Sequence, residues 1–584
     1  MATNIDPTLR ALGSKAKYQM LQLTVISLGA FGAGYQLLDN VFIGRTVSGE
    51  QCAPPSNNTV IPAGLQDVDW NSSRVEYGQC HIAVNRSDDR VQYYDCMFGY
   101  SYEYRWELSF RTEFDLVCDR SLLGGFVQSL VIMGQGVGAV TASFVSDRFG
   151  RKRVLVVSQI GLLVLGMGIG LSPSYAVLGT LKFLVGAFQQ GVVTSMATMT
   201  TELFPTDTRR LTFPISTVMW SIASTSMALI AYLLRDYTWR YLQYTLSAVS
   251  FLFLIQLWYV DESLRWLVAN GKKEGAIKVL KRAARVNKKD LNEVLETVQM
   301  SVTQNGAELE AFVPPTSADE MDPKLTTGHS PNGIGSVEKT LERQAEKLTL
   351  LDIFRHKRLL FNTLIVWVAW FTCAFSFFAL IMMSSSLVGD RFLNYALIVI
   401  MESPPGLIFY FSVNRFGRKR TTQVFYMLTG VGLLASGIFR IFEDIPALAM
   451  MSVVMAMLGM VGASGMFGAI FFYTPELFPT NMRNQALGVA SFAGRLGGML
   501  SPFMNDLAEI VVWAPGVMIG TLSFLVVFLF QFLPETKGTE LPQTVADIKA
   551  WYKPKDVEIL YEPPVEDEEP TKKQESCCKP VKSQ

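Results

Sequence analysis

The chain has few charged residues and very few histidines. Of its 584 residues, 17% are charged and three are histidines, while acidic and basic residues are equally numerous at 51 each. Soluble proteins average about 25% charged residues, and domains that bind nucleic acid usually carry a positive net charge. The composition therefore argues against a nucleic-acid partner and against a metal site built from histidines.

Motifs of the familiar enzyme classes are also missing. The sequence has no phosphate-binding loop, no nucleophile elbow and no constellation of metal ligands. Its first residues lack the basic, apolar and small-residue regions of a cleaved signal peptide. We therefore expect no enzyme activity and no cofactor, and we expect the first apolar segment to be retained as an anchor.

What the chain has instead is a series of long apolar runs. A helix needs about 20 mostly apolar residues to cross a bilayer, and twelve runs approach that length. The predicted crossing segments cover residues 20–42, 122–145, 154–171, 175–199, 213–234, 241–259, 359–383, 393–413, 422–441, 446–472, 486–504 and 511–532. We therefore expect the lipid bilayer to surround most of the chain.

Two pairs of short motifs repeat between the two halves of the chain. Residues 147–153 (DRFGRKR) nearly match residues 414–420 (NRFGRKR), and residues 202–206 (ELFPT) match residues 476–480. The starting positions differ by 267 residues for the first pair and by 274 for the second. This repeat predicts an all-α membrane protein with twelve transmembrane helices in two pseudo-symmetric six-helix bundles, with a binding site between the bundles.

The short loops predict the orientation. Their arginines and lysines fall on one side, which the positive-inside rule assigns to the cytoplasm. The predicted divisions are a cytoplasmic N-terminus (1–19), an N-terminal bundle (20–260) with a large extracellular loop (43–120), a cytoplasmic linker (261–357), a C-terminal bundle (358–533) and a cytoplasmic tail (534–584).

The large loop after the first segment carries signs of an oxidising compartment. It holds four of the seven cysteines and every Asn-X-Ser/Thr sequon of the chain. An even cysteine set in one loop indicates two disulfides, although three pairings remain open, and the sequons indicate glycosylation. The cysteines are Cys52, Cys80, Cys96 and Cys118, and the sequon asparagines are Asn57, Asn71 and Asn85.

The repeated motifs are candidate gates. Carboxylates and guanidiniums at the ends of neighbouring helices can hold those helices together in one state and separate in another, as alternating access requires. The alternative is that these charges only set the topology. The candidate gating residues are Asp147, Arg148, Arg151 and Glu202 in the first half, and Arg415, Arg418, Glu476 and Arg483 in the second.

A few polar residues inside the predicted segments are candidates for substrate binding. An ionisable group at bilayer depth costs at least about 2.5 kcal/mol and marks a functional site by default. Aromatic rings could add contacts to a cationic group. The alternative is that Glu402 and Arg495 pair with each other or with neighbours and stabilise the fold. The predicted set is Glu402, Arg495, Lys182, Gln190, Trp370 and Phe378.

The gate motifs resemble those of the major facilitator superfamily. Within it, the chain resembles the organic cation, organic anion and carnitine transporters, on the cysteine-rich loop, residues 113–118 (EFDLVC), residues 262–267 (ESLRWL), residues 476–484 (ELFPTNMRN) and residues 534–538 (PETKG). The sequence departs from the family pattern at Ser143, Lys182 and Asn414, where the family usually has Gly, Arg and an acid.

The resemblance implies a substrate class. Cation carriers of this family have Asp at the position of Arg495, whereas anion and carnitine carriers have Arg, and anion carriers often have Lys at the position of Gly406. Glu402 with Arg495 then suits a small organic cation or a carnitine-like zwitterion. The alternatives are an organic anion carrier and a transporter-like receptor. We expect a plasma-membrane protein, with coupling to a proton or a sodium ion left open.

Overall fold

The two halves of the chain form two helical bundles. In a computed structural model, the described residues are 5–45, 49–55, 61, 68, 70, 75–85, 91–103, 105–205, 208–209, 212–252, 255–303, 355–479, 482–538, 542, 548 and 551–552. The helices of the first half and the linker are α1 Asp6–Ala11, α2 Lys17–Ser27, α3 Gly29–Leu38, α4 Asn40–Ile43, α5 Phe110–Glu113, α6 Ser121–Phe149, α7 Arg151–Gly170, α8 Tyr175–Glu202, α9 Thr212–Leu233, α10 Trp239–Leu252, α11 Gln256–Tyr259, α12 Leu264–Ala269, α13 Lys273–Asn287 and α14 Leu291–Thr303.

The second half repeats this arrangement. Its helices are α15 Lys357–Met383, α16 Arg391–Ile400, α17 Pro404–Phe416, α18 Arg418–Arg440, α19 Pro446–Glu476, α20 Arg483–Leu500, α21 Phe503–Ile510 and α22 Ala514–Leu529. The eighth predicted segment is split into α16 and α17 because consecutive prolines, Pro404 and Pro405, have no backbone N–H to continue the ladder.

Eleven helical stretches of the described chain are long and apolar enough to cross a membrane. They correspond to the predicted segments except the eleventh, residues 486–504. That segment corresponds to α20, which begins at Arg483 and ends at Leu500, before Pro502, and which contains two arginines, Arg483 and Arg495. Crossing helices also extend beyond the predicted bounds at the basic loops, where α6 continues to Phe149.

The large loop folds into two small antiparallel sheets rather than an irregular connection. Strand β1 (Glu50–Cys52) pairs with β5 (Tyr100–Tyr102), while β2 (Val75–Tyr77), β3 (His81–Asn85) and β4 (Val91–Asp95) form the second sheet. Disulfides join Cys52 to Cys96 and Cys80 to Cys118. Asn85 is exposed at the end of β3, and Asn57 and Asn71 lie outside the described residues.

A second apolar core lies at the opposite end of the first bundle. Helix α1 packs on α12, α13 and α14 through a cluster of buried apolar side chains. The carboxylate of Asp6 accepts from Arg265, which also donates to the backbone carbonyl of Glu202 at the end of α8. The first residues and the linker helices are therefore anchored to the first bundle. We call this end of the molecule the basic side and the other the disulfide-loop side.

Glycines bring neighbouring helices of a bundle into backbone contact. A Cβ atom at Gly134 of α6 would lie 1.9 Å from the carbonyl oxygen of Phe183 on α8, and one at Gly186 of α8 would lie 2.0 Å from that of Val131. Such close approach is how apolar helices associate in lipid, where dispersion contacts replace the hydrophobic effect. Each bundle is therefore tightly packed internally.

The two bundles meet from the middle of the helices to the disulfide-loop side. Helix α16 packs on α9, and α20 and α21 pack on α6. The rings of Phe42 and Phe392 stack across this boundary with centroids 5.5 Å apart and planes 6° apart. The Ser129 hydroxyl donates to the carbonyl of Met499 at 2.6 Å. These contacts close the space between the bundles on the disulfide-loop side.

The glycine contacts give a first prediction. Gly186→Ala should lower the Tm of the purified protein by several degrees, since overpacking a close contact costs about 1–3 kcal/mol. Gly488→Ala on α20 is the control, because a Cβ there meets nothing within 4 Å and alanine favours a helix. Equal Tm values for the two variants would contradict the packing described for α6 and α8.

Candidate functional site

Arg495 lies on α20 where the two bundles face each other. Its Nη1 donates to Oε1 of Gln135 on α6 at 3.1 Å, across the boundary between the bundles. Gln135 in turn donates through Nε2 to Oε1 of Gln189 on α8 at 2.8 Å. Both glutamines are buried. Arg495 therefore contacts a neutral amide that is held in place by a second amide.

The predicted aromatic residues lie beside the helix that carries Arg495. The Trp370 ring is 3.2 Å from a Cβ built at Gly494, and the Phe378 ring is 3.3 Å from one built at Gly498. Trp370 is 2% exposed and donates to Oγ1 of Thr474 at 2.9 Å, whereas Phe378 is partly exposed. Three predicted residues thus come together, and Phe378 is the more accessible ring.

Glu402 lies in the break between α16 and α17. Its side chain is 1% exposed, and Oε1 has no hydrogen-bond donor among the described residues. The Trp220 indole of the other bundle lies close to this carboxyl group, while the Ser464 hydroxyl donates to the backbone carbonyl of Glu402 at 2.9 Å. No lysine or arginine of the described chain pairs with Glu402. Because a buried carboxylate without a cation is costly, this position favours a cationic ligand group.

Lys182 was predicted to bind substrate, but in the structure it forms a buried ion pair within the first bundle. Its ammonium group lies 2.6 Å from Oδ1 of Asp39 in the same bundle, and both side chains are fully buried. Removing one partner of a buried pair costs about 3–5 kcal/mol, so this pair has a structural role whether or not Lys182 contacts a substrate.

Gln190, the other predicted polar residue of α8, hydrogen-bonds to Thr194 at 3.0 Å. Its neighbour Gln189 is the residue that is linked to Arg495 through Gln135.

The first gate motif forms a compact charge cluster. Gly150 takes a positive φ of 109° between α6 and α7, a conformation that favours glycine. The Arg151 guanidinium lies 2.9 Å from Asp147 and 3.3 Å from Glu202. The backbone N–H groups of Arg151 and Lys152 donate to Glu262 at 3.0 and 3.1 Å. The N-terminus of α7 is thus capped by Glu262 rather than by Asp147.

The second motif reproduces this geometry with one carboxylate fewer. Gly417 has a φ of 95°, Arg418 lies 3.3 Å from Glu476, and the backbone N–H of Arg418 donates to Glu535 at 2.8 Å. Glu535 therefore corresponds to Glu262. In the sequence, Glu262 follows the last crossing helix of the first bundle and Glu535 follows that of the second. Their capping role could not be read from the sequence, because only the fold places them next to the motifs.

The other predicted gating arginines have no carboxylate partner in the described chain. The guanidiniums of Arg148 and Arg415 lie 5.6 and 5.5 Å from the ring centroids of Phe149 and Phe416. Arg483 donates to the carbonyl of Pro475 at 2.7 Å. Both charge clusters bind helices within one bundle, so neither joins the two bundles in this conformation.

A buried ion pair that the sequence did not indicate joins the bundles on the disulfide-loop side. Arg111 of α5 and Asp506 of α21 lie 3.1 Å apart, with side chains 7% and 10% exposed. The segment around Arg111 is fixed to the first bundle, because Glu113 accepts from Arg240 and from the Trp239 indole. The pair therefore closes the boundary above Arg495.

Comparison with known proteins agrees with this architecture. The family model described as Major Facilitator Superfamily matches residues 120–502. Organic anion transporter 3 of Mus musculus is 28% identical over 549 residues, which cover 93% of this chain and 94% of that protein. An organic cation transporter-like protein of Drosophila melanogaster is 27% identical over 563 residues, covering 93% and 92%.

Solved structures share the fold at low sequence identity. The E. coli xylose transporter in a partially occluded, inward-open conformation has a TM-score of 0.57 at 13% identity, covering 89% of this chain and all of that one. A xylose–proton symporter of the same superfamily bound to a bromodeoxyglucose has a TM-score of 0.55 at 15% identity. These similarities establish the twelve-helix arrangement and nothing about the substrate.

The Arg111–Asp506 pair gives a second prediction. In a Ser129→Cys background, Arg111→Ala should speed modification of residue 129 by a membrane-impermeant thiol reagent added from the disulfide-loop side. Ser129 is 4% exposed beneath the pair, and losing one partner of a buried pair costs about 3–5 kcal/mol, which disfavours the closed state.

Two further variants make the experiment decisive. Arg105→Ala is the control, because Arg105 pairs with Glu107 at the exposed surface of the same loop. Exchanging the charges (Arg111→Asp with Asp506→Arg) should restore slow modification. Equal rates in the Arg111→Ala and Arg105→Ala proteins, with both at the cell surface, would show that the pair does not hold the bundles closed.

Proposed function

Since the chain belongs to the Major Facilitator Superfamily, we propose that it is a membrane transporter of small organic ions that works by alternating access. The names of the relatives, organic anion transporter 3 and organic cation transporter-like protein, support organic ions as the substrate class. They do not distinguish cations from anions. Within this class we propose organic cations and carnitine-like zwitterions.

The proposal of a cation or zwitterion as substrate rests on the contacts of Glu402 and Arg495. The Glu402 carboxyl has no cationic partner in the described chain, and the Arg495 guanidinium contacts the neutral amide of Gln135. Each charge thus remains available to a ligand of opposite charge. A quaternary ammonium suits Glu402 and the neighbouring Trp220 ring, and a carboxylate suits the two-pronged guanidinium.

An organic anion is the second candidate, and Arg495 favours it. In that case Glu402 would oppose the substrate rather than bind it. Near Glu402 the site offers no second positive charge at residue 406, where many anion carriers have a lysine. Residue 406 is a glycine that packs against Pro214 and Thr217 of α9. We therefore rank the anion below the zwitterion.

The proposed orientation places the disulfide-loop side outside the cell. Disulfides form in oxidising compartments, and the two bonds and the exposed Asn85 lie on that side. The arginines of both gate motifs lie on the opposite side, as the positive-inside rule requires for the cytoplasm. We accordingly propose a plasma-membrane protein with both termini in the cytoplasm.

Uptake measurements on cells expressing variants test this assignment. With labelled carnitine, tetraethylammonium and benzoate as substrates, Arg495→Ala should reduce carnitine transport about tenfold or more, since a charged hydrogen bond contributes about 1.5–3 kcal/mol. It should leave tetraethylammonium transport intact. Glu402→Gln should reduce the transport of both, because each contains a quaternary ammonium.

Arg495→Lys is the matched control. It keeps the positive charge but loses the planar fork, so its carnitine transport should lie between that of the wild type and that of Arg495→Ala. Uptake of benzoate alone would make the protein an anion carrier and remove the binding role of Glu402. No uptake by protein present at the cell surface would favour the receptor alternative.

A further inference from the structure

Gln135 is the residue of the first bundle that contacts the Arg495 guanidinium. An arginine side chain has only hydrogen-bond donors, so the amide oxygen of Gln135 faces Arg495, at 3.1 Å from Nη1. The amide nitrogen then points to Gln189 and donates to its Oε1 at 2.8 Å. Gln135 is 6% exposed and Gln189 is 1% exposed. The orientation of the Gln135 amide is therefore fixed on both sides.

The bond between Gln135 and Arg495 lies at the edge of the closed boundary between the bundles. On the disulfide-loop side of it, the Ser129 hydroxyl donates to the Met499 carbonyl at 2.6 Å. Farther along α6, Gln135 accepts from Arg495. No hydrogen bond or ion pair in the described chain joins α6 to the second bundle nearer the basic side. Loss of this bond would therefore shorten the closed boundary from its open end.

Arg495 keeps free donors for a ligand. Its guanidinium carries five N–H donors, and within the described chain only the bond to Gln135 uses one of them. The arginine is partly exposed, whereas Gln135 and Gln189 are buried. An acidic ligand can therefore reach the guanidinium while Gln135 is still in place.

A neutral amide and a carboxylate compete unequally for this guanidinium. The Gln135 amide oxygen accepts a single hydrogen bond from it. A carboxylate brings the opposite charge and can accept two parallel bonds from the planar fork. A ligand with an acidic group can therefore displace the amide, whereas a ligand without one cannot.

We propose that Gln135 is a latch that an acidic ligand group opens, and that it thereby determines which ligands engage Arg495. This inference rests on the proposed function, because it takes Arg495 to be the position for a carboxylate. In the ligand-free protein Gln135 occupies Arg495 and joins the two bundles. A bound carboxylate replaces Gln135, and the bundles lose the polar contact at the edge of their boundary.

This exchange links the chemistry of the ligand to the conformation. A ligand shifts a conformational equilibrium by the difference in its affinity for the two states. A carboxylate that takes Arg495 from Gln135 favours separation of the bundles on the disulfide-loop side. A ligand that has only a quaternary ammonium leaves Gln135 in place, so its binding does not release this contact.

Binding to the purified full-length protein tests the exchange without requiring transport. Ligand-dependent shifts in Tm, measured at constant ionic strength, give apparent affinities for carnitine and benzoate, which carry a carboxylate, and for tetraethylammonium, which does not. Gln135→Met keeps the length of the side chain but removes the acceptor. Gln135→Glu supplies Arg495 with a carboxylate that belongs to the protein.

The two variants should change the binding of acidic ligands in opposite directions. Gln135→Met should tighten it about tenfold or more, because the ligand no longer displaces a hydrogen bond to a charged group. Gln135→Glu should weaken it by a similar factor, since the carboxylate of the protein competes with that of the ligand. Neither variant should change the tetraethylammonium affinity by a comparable factor.

Gln128→Met is the matched control. Gln128 lies on the same helix and is fully buried, but its amide donates to the Leu37 carbonyl within its own bundle at 3.0 Å. This variant should leave the affinities for all three ligands unchanged, even if it lowers the Tm of the ligand-free protein.

Thiol modification tests the latch in the absence of any ligand. In the Ser129→Cys background, Gln135→Met should speed modification of residue 129 from the disulfide-loop side about tenfold, and Gln135→Glu should slow it. Arg495→Ala should also speed modification. Adding Gln135→Met to Arg495→Ala should then have no further effect, because both changes break the same bond.

The outcomes separate this inference from the proposed function. Tighter binding of an acidic ligand to Gln135→Met, in a protein that transports none of the substrates, would support the latch and contradict the proposed transport. Transport of carnitine with affinities that both Gln135 variants leave unchanged would contradict the latch alone. The absence of binding by both acidic ligands, or equal modification rates in all variants, would also overturn the latch.

Discussion

An ionised group in an apolar medium needs a partner, and this requirement organises the whole molecule. Removing a charge from water costs several kcal/mol, which only an opposite charge with good hydrogen bonds recovers. Lys182 and Asp39 satisfy each other inside the first bundle, and Arg111 and Asp506 do so between the bundles. Against that background, a buried Glu402 without a cation stands out. The exceptions to the rule, rather than the charges themselves, locate the candidate site.

The same requirement explains the turns on the basic side. The sharp turn between α6 and α7 leaves backbone N–H groups at the start of α7 without intrahelical acceptors, and Glu262 accepts from two of them. Glu535 accepts from one such group, the backbone N–H of Arg418 at the start of α18. Arg151 also binds Glu202, and Arg418 binds Glu476. Each cluster therefore joins three helices of its bundle to the segment that follows the last crossing helix of that bundle. Each bundle can then move as a single body.

Much of this was predictable from the sequence, and the exceptions have physical reasons. Apolar length and the repeated motifs predicted the fold. The sheets of the large loop were missed because their strands are three to five residues long, too short for an alternating pattern to be evident. The partner of Lys182 was missed because Asp39 lies 143 positions away, and only helix packing brings them together.

The contacts within and between the bundles differ in kind, and this difference determines where the molecule can move. Inside a bundle, helices touch through backbone at glycines such as Gly134 and Gly186, so separating them would break continuous surfaces. Between the bundles, the described polar contacts are single hydrogen bonds, such as Ser129 to Met499, and one buried ion pair. Since interactions of this kind contribute only a few kcal/mol in total, the open and closed states can lie close enough in free energy for a ligand to shift the balance.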